Sequence, residues 1–391
     1  MSIGETSSKL INTRILSLDV FRGLTIMFMI IVNNAGNSQF VYWPLEHSQW
    51  NGITPTDLVF PFFLFISGVS IVFALSSRKE SGLKFPELIS KIIRRGITLV
   101  LIGIAIHSIP GFWYLTHWSW EHFFGQMRFP GVLQRIGLVY IAASLLFLYC
   151  EQRTIWIISF ALILVYYLLL AFIPVPGVGP ATFAPAMNLE SWVDRFVLST
   201  NHTYHTTMFW DPEGILSTLP SISSGLFGIL TGYALKKKSD AMQKLKFMLI
   251  QGVLLIVVGL LFSLIFPINK NLWSSSFVLI TSGLANLFLA LCFYIIDVRG
   301  NSSWTKPFIV YGMNSILVYA IAESLEPLMN YIQLPGPQGR PIGLFGFIYI
   351  HIFEPLFASH YNSSMAWSVC YMLLFMPLLW YFYKKKIFLK V

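Results

Sequence analysis

An all-α integral membrane protein with about ten transmembrane helices and both termini cytoplasmic is the fold class this sequence predicts. Three observations predict it. Apolar runs long enough to cross a bilayer recur from Leu18 to Phe382. Of the 391 residues 55% are hydrophobic and only 11% charged, with a mean hydropathy of +0.68, a surplus that no soluble domain needs. Lysine and arginine, finally, are divided unequally between alternate connecting segments.

The runs fall at 18–35, 57–77, 95–114, 131–150, 154–174, 213–235, 247–267, 274–296, 307–325 and 365–383. With the N-terminus inside, the inner segments carry 20 Lys and Arg and the outer segments four, Arg128, Arg195, Lys270 and Arg340. That asymmetry sets the orientation and requires an even number of spans. The further run 342–358 contains His351, Glu354 and Pro355 and is short for a span, so it reads as re-entrant or lying at the surface. The first run holds Asp19 and Arg22 and lacks a small-x-small cleavage site, which predicts a retained helix in place of a signal peptide. Residues 1–391 read as a single transmembrane domain, within which 175–212 is a long outer loop.

The formal net charge is +9, and a basic balance suits nucleic acid, anionic lipid or an anionic ligand. Its concentration in short loops points to the lipid bilayer and away from nucleic acid. The inner segment 78–95 places Phe85, Leu88, Ile89, Ile92 and Ile93 at helical spacing between basic residues. It reads either as an amphipathic surface helix or as a basic entrance for a phosphorylated ligand, and 236–246 invites the same two readings. Cys150, Cys292 and Cys370 show no CxxC spacing and suggest neither a disulfide framework nor a metal site.

The stretch 17–68 concentrates the chemistry. A mostly apolar run carries Asp19 and Arg22 at one end and Asn33 and Asn34 at the other; a loop with His47, Trp50 and Asn51 follows; a second run opens at Asp57. Ionisable and amide groups are expensive in hydrocarbon, so they turn toward a protein interior or a wet cavity. With the inferred orientation all eight histidines lie at or near the outer side, as do Trp43, Trp50, Trp113, Trp118, Trp120, Trp192, Trp210 and Trp273. Those tryptophans form either an interfacial belt or, around Trp43 and Trp50, a sugar-stacking platform. His47 is the best proton-transfer group, because an imidazole ordinarily titrates near pH 6.5 and both takes and returns a proton at working pH.

Four further polar clusters interrupt apolar sequence. GVLQRIG (131–137) buries Gln134 and Arg135, the latter a ligand contact or an ion-pair partner for Asp19 or Asp57. WDPEGILSTLPS (210–221) sets Asp211 and Glu213 around Pro212 at a helix start. PINKNLWSSSFV (267–278) offers Asn269, Lys270 and Asn271. GMNSILVY (312–319) carries Asn314 and Ser315, residue types that also serve as helix-helix glue. HTYH at 202–205 is too incomplete a pair to predict a metal.

Taken in order, SLDVFRGLTI, VNNAGN, EHSQWNGITPTDLVFP, GVLQRIG, DPEGILST, PINKNLWSSSFV and GMNSILVY resemble the signature segments of the heparan-α-glucosaminide N-acetyltransferase family in its bacterial form, from about Arg14 to Tyr319. The resemblance implies a transmembrane acyltransferase that moves an acetyl group from cytosolic acetyl-CoA to the amine of a glucosamine-type sugar on the far side. It assigns catalysis to His47, from the HxxWNG motif, sets Asn33, from the VN motif, beside that histidine, where it is expected to share in catalysis, and puts Arg135 at the arginine of GVLQR. The donor is expected at Arg22, Arg135, Asn314 and Ser315, and the cavity and acceptor at Asp19, Asn34, Trp50, Asn51, Asp57, Asp211, Glu213, Asn269 and Lys270. No metal is expected. A homodimer in the bacterial inner membrane, with its histidine toward the periplasm, is implied too. Two departures stand out: the family's additional N-terminal luminal region is not matched, and the loop between Asn33 and His47 differs in length. A transporter for an amino sugar and an O-acetyltransferase of an envelope glycan are the alternatives.

Overall fold

The computed structural model describes residues 15–80, 85–109, 120–237 and 240–389. Helix α1 (Leu16–Asn33) is followed by a loop with two short 3-10 turns, Trp43–Leu45 and Pro55–Leu58. Helices α2 (Val59–Glu80), α3 (Phe85–Ser108), α4 (Trp120–Gln126), α5 (Val132–Tyr149) and α6 (Gln152–Phe172) come next. The long segment after α6 contains α7 (Leu189–Leu198), and then α8 (Thr218–Lys237), α9 (Ala241–Phe262) and α10 (Ser275–Phe293) follow. Helices α11 (Lys306–Met313) and α12 (Ser315–Asn330) meet at Asn314 with a bend of 78°. An antiparallel hairpin, β1 (Gln333–Pro335) and β2 (Pro341–Gly343), pairs Leu334 with Ile342 and leads into α13 (Leu344–Ile348), α14 (His360–Leu374) and α15 (Met376–Lys384).

Seven of the described helical segments are long and apolar enough to cross a membrane, or eight if the bent α11–α12 pair is one span. This is an integral membrane protein. Two of the ten predicted runs, now α3 and α8, are 24 and 20 residues long but less apolar. Lys91, Arg94 and Arg95 lie within the first, and serines and glycines dilute the second. Of the segment 78–95, residues 78–80 end α2, 81–84 lie outside the described residues, and Phe85 to Arg95 is the first part of α3, continuous with the apolar part. Segment 342–358 becomes β2, α13 and irregular turns, and its helical part, Leu344–Leu356, is shorter than the spans.

Helices α2 and α10 lie at the centre, with 67% of each span buried, whereas α6 and α9 bury only 28% and turn the rest of their apolar surface outward. Small residues let the central helices touch. A methyl group added at Gly68 of α2 would come within 1.9 Å of the Gly225 carbonyl of α8, and one at Gly23 of α1 within 1.8 Å of the Phe308 carbonyl of α11. Close backbone approach is how helices associate where lipid offers no hydrophobic drive. Between α8, α9 and α10, the Thr231 hydroxyl lies 2.8 Å from the Asn286 side-chain oxygen and 3.3 Å from that of Gln251.

Candidate functional site

Three loops converge at the end of the bundle where α1 stops and α2 begins. The Gly52 amide donates to the Ile268 carbonyl at 2.8 Å, Asn269 Nδ2 donates to Asn51 Oδ1 at 3.3 Å, and Trp50 Nε1 donates to the Phe183 carbonyl at 3.0 Å. Gly52 adopts φ +116°, a left-handed backbone that glycine accepts without strain. The loop after α1 is thereby pinned to both the 263–274 connection and the 175–212 segment.

On this platform His47, Asp57 and Lys270 come together. His47 Nδ1 lies 2.7 Å from Asp57 Oδ1, and Lys270 Nζ lies 2.9 Å from Nδ1 and 3.2 Å from Nε2. Asp57 is fully buried while the His47 side chain is about half exposed. The other Asp57 oxygen accepts from the Ser48 and Thr54 amides at 3.1 and 3.0 Å, so the capping box that starts the Pro55–Leu58 turn, just ahead of α2, also fixes the carboxylate. An acceptor-only carboxylate requires a proton on Nδ1, so the lone pair is on Nε2, with Lys270 Nζ 3.2 Å away. Burial pulls the Lys270 ammonium below its ordinary pKa, against the opposing pull of Asp57.

Asn33, at the last turn of α1, donates its Nδ2 to Glu323 Oε1 on α12 at 2.8 Å; among the described residues it is not hydrogen-bonded to His47. Asn34 turns the other way, donating to the Ile30 carbonyl of its own helix at 2.9 Å, while its backbone carbonyl accepts from Ser368.

A second constellation stands beside the first. Arg128 holds Asp211 through two bonds, 2.8 and 2.6 Å, and reaches Glu213 at 2.6 Å. Burial by itself lowers the Arg128 pKa, but the two carboxylates outweigh it and the net shift is upward. Arg135 pairs with neither Asp19 nor Asp57: it donates to the Gly214 carbonyl at 2.9 Å and to Ser217, and lies 5.1 Å over the Trp273 ring. Trp273 is fully buried and so leaves the expected interfacial belt, whereas Trp43 remains exposed. Trp113, Trp118 and His117 lie outside the described residues. His202, from the HTYH pair, donates its Nδ1–H to the Met127 carbonyl at 2.8 Å and lies tilted against the Phe129 ring.

Toward the opposite end of the bundle opens a cavity of about 1050 Å³. Arg22, Lys91, Arg94 and Arg95 supply positive charge to its wall, Ser70 and Ser315 hydroxyls, and Ile26, Met29 and Phe63 an apolar remainder. Arg22 is held by Asp19 at 3.2 Å and Ser70 at 2.9 Å. Met29 and Tyr319 line the cavity, and Asn33 and Glu323 lie one helical turn further along α1 and α12. Asn314 does not line it: its side-chain amide bonds the backbone of residues 387 and 389.

A profile of the family described as "Heparan-alpha-glucosaminide N-acetyltransferase, catalytic" matches residues 14–188. The mouse (Mus musculus) heparan-alpha-glucosaminide N-acetyltransferase is 32% identical over 363 residues, covering 80% of this chain and 54% of the relative. Its human (Homo sapiens) counterpart is 33% identical over 363 residues, covering 80% and 53%. The chain belongs to the heparan-alpha-glucosaminide N-acetyltransferase family. It spans about half the length of the curated relatives it matches.

Within a member of this acyltransferase family, the constellation also names residues that the motifs did not. Glu323 stands in the apolar run 307–325, where an acid is itself a signal of function. Arg128 is one of only four basic residues in the outer segments, directly before the GVLQR motif. Glu190 and Asp194 of α7 are buried beneath Gly214, and only the fold brings them there.

Proposed function

We propose that this protein is a transmembrane acetyltransferase that carries an acetyl group from acetyl-CoA, held on the basic side of the bundle, to the amine of a glucosamine-type sugar on the opposite side. The observation that carries the reading is the His47–Asp57 pair at 2.7 Å, which stands at one end of a bundle whose other end opens into a basic-walled cavity. Phosphates cannot rest in hydrocarbon, and Lys91, Arg94 and Arg95 suit the diphosphate and ribose phosphate of CoA. The apolar stretch past Ile26 and Met29 suits the pantetheine arm, whose thioester then reaches the level of Asn33. The basic side is cytoplasmic by the distribution of Lys and Arg.

The reaction follows from the groups present. The neutral acceptor amine attacks the thioester carbon, and His47 Nε2 takes a proton from the nitrogen as the C–N bond forms. Asp57 stabilises the imidazolium, and the second N–H of Asn33, left over from the Glu323 bond, donates to the carbonyl oxygen as its charge grows. The C–S bond breaks and the departing thiolate recovers the proton from His47. Lys270 stands where it meets the hydroxyls of an incoming sugar, and Trp50 and Trp210, with ring centroids 5.3 Å apart, offer that sugar an apolar face.

The test is release of CoA thiol by purified protein given acetyl-CoA and glucosamine, beside folded His47→Ala and Asn33→Ala variants. Release that needs both the sugar and His47 is expected. If solute crosses the membrane in vesicles while no thiol appears, the protein is a transporter; if thiol release responds to a glycan hydroxyl and never to an amine, the acceptor class is wrong.

A further inference from the structure

The large basic-walled cavity is bounded at one place by chain that the signature motifs do not include. Phe388 and Leu389, in the last described residues, line it together with Met313, Ser315 and Ile316 from the α11–α12 break. Two separate devices put them there.

The first is the end of α15. The Lys386 amide donates to the Tyr383 carbonyl at 3.1 Å and the Ile387 amide to the Phe382 carbonyl at 2.9 Å. With Lys386 at φ +56°, this is the Schellman arrangement, in which the residue after the helix turns left-handed and sends the chain back along the bundle. Glycine is the usual occupant, and a lysine there persists only where its surroundings hold the turn. The second device is Asn314. Its Nδ2 donates to the Ile387 carbonyl at 3.1 Å and its Oδ1 accepts from the Leu389 amide at 3.0 Å. One side chain thus clasps the strand on both sides of Phe388, at the point where α11 and α12 part by 78°. Lys306, at the start of α11, sits 5.0 Å over the Trp380 ring of α15 and ties the same two elements a second time.

The geometry points to residues 387–389 as a strap that forms part of the wall around the nucleotide end of the acetyl-CoA cavity, with Asn314 as the positioning residue that holds it closed. This rests on the reading of that cavity as the donor site. Phe388 is the side chain that the clasp presents to the ligand, and an aromatic ring suits the face of a purine. Asn314 then acts on the donor through the strap, and the polar atoms that the sequence assigned to the cofactor are committed to backbone.

Full-length protein in detergent, Asn314→Ala, a chain ending at Lys386, and the two combined are compared with two donors, acetyl-CoA and S-acetyl-pantetheine, which has no nucleotide. Each lesion is expected to raise the KM for acetyl-CoA about tenfold, while the KM for acetyl-pantetheine and for the sugar stays as in the wild type. The combined variant should be no worse than the truncation, since both remove one strap. Lys386→Pro, which cannot adopt the left-handed turn, should copy the truncation, and Lys386→Gly should not. An unchanged acetyl-CoA KM, or an equal rise for both donors, overturns the strap. CoA binding by calorimetry separates the two levels: a wild-type protein that binds no CoA overturns the donor cavity and the strap with it, whereas wild-type binding matched by the variants overturns the strap alone.

Discussion

Asn33 and Glu323 meet at 2.8 Å, the last turn of α1 against the middle of α12, one turn beyond Met29 and Tyr319 in the cavity wall. The carboxylate fixes which way the amide faces, so one N–H is committed and the other is free to meet a developing oxyanion. Removing an oxyanion donor typically lowers kcat by about 10²–10³, and Asn33→Ala is expected in that range. Glu323→Ala should cost part of the same amount by letting the amide rotate, and Asn33→Ala/Glu323→Ala should be little worse than Asn33→Ala alone. Steady-state kinetics on the four proteins checks this; losses that simply add would show that Glu323 acts elsewhere.

Asp57 selects the His47 tautomer, and Asn cannot do so in the same way. An amide nitrogen facing Nδ1 favours the opposite tautomer, which places the proton on Nε2, the nitrogen proposed as the base. Asp57→Asn is therefore expected to lower kcat by about 10²–10⁴ with the affinity for CoA unchanged, because the cavity proposed for CoA lies at the other end of the bundle. Thiol-release kinetics combined with calorimetric CoA titration separates the two quantities.

The sequence names His47, Asp57 and Lys270 as site residues but not that they touch, and the reason is physical. His47 and Asp57 are ten residues apart in one loop, so both were within reach of a local reading, and the apolar runs announced the helices through hydropathy alone. Lys270 reaches His47 across 223 residues and Glu323 reaches Asn33 across 290, and no periodicity encodes such a contact. The partners of Arg135 are hidden for a related reason. An arginine inside an apolar run demands a partner, and Asp19 and Asp57 were the acids in view, yet the partners turn out to be a backbone carbonyl, a serine and an indole face. The break at Asn314 was likewise hidden, since Asn and Ser inside a helix read as interhelical glue until the 78° bend is seen.

The Arg128–Asp211–Glu213 cluster is expected to be structural. Asp211 is fully buried and Glu213 nearly so, and removing the guanidinium leaves an uncompensated buried charge. Breaking such a pair costs about 3–5 kcal/mol, so Arg128→Met should lower the thermal midpoint sharply in detergent, while Glu213→Gln should cost less. Scanning fluorimetry measures both. An Arg128→Met protein of wild-type stability that has lost its affinity for the sugar would instead make the cluster part of the acceptor site.

Asp194 supplies a pH signature for the same region. Burial pushes its carboxyl up to about 6, against the lowering effect of the Ile215 and Asp211 amides that donate to it. Its titrating and charged neighbours are Glu190, also raised by burial and by Asp194, together with Asp211 and Arg135. An unfolded aspartate titrates near 3.9, so the folded state binds this proton more tightly. The sign follows: the contribution of Asp194 to stability is greatest below about pH 4 and is lost as the pH rises toward 6. Asp194→Asn removes that proton equilibrium, so the stability of the wild type relative to the variant should fall from pH 4 to pH 6 and then level off. Thermal midpoints of both proteins across that range check it, and a difference that stays constant with pH would mean that Asp194 is ionised throughout and held by its two amide donors.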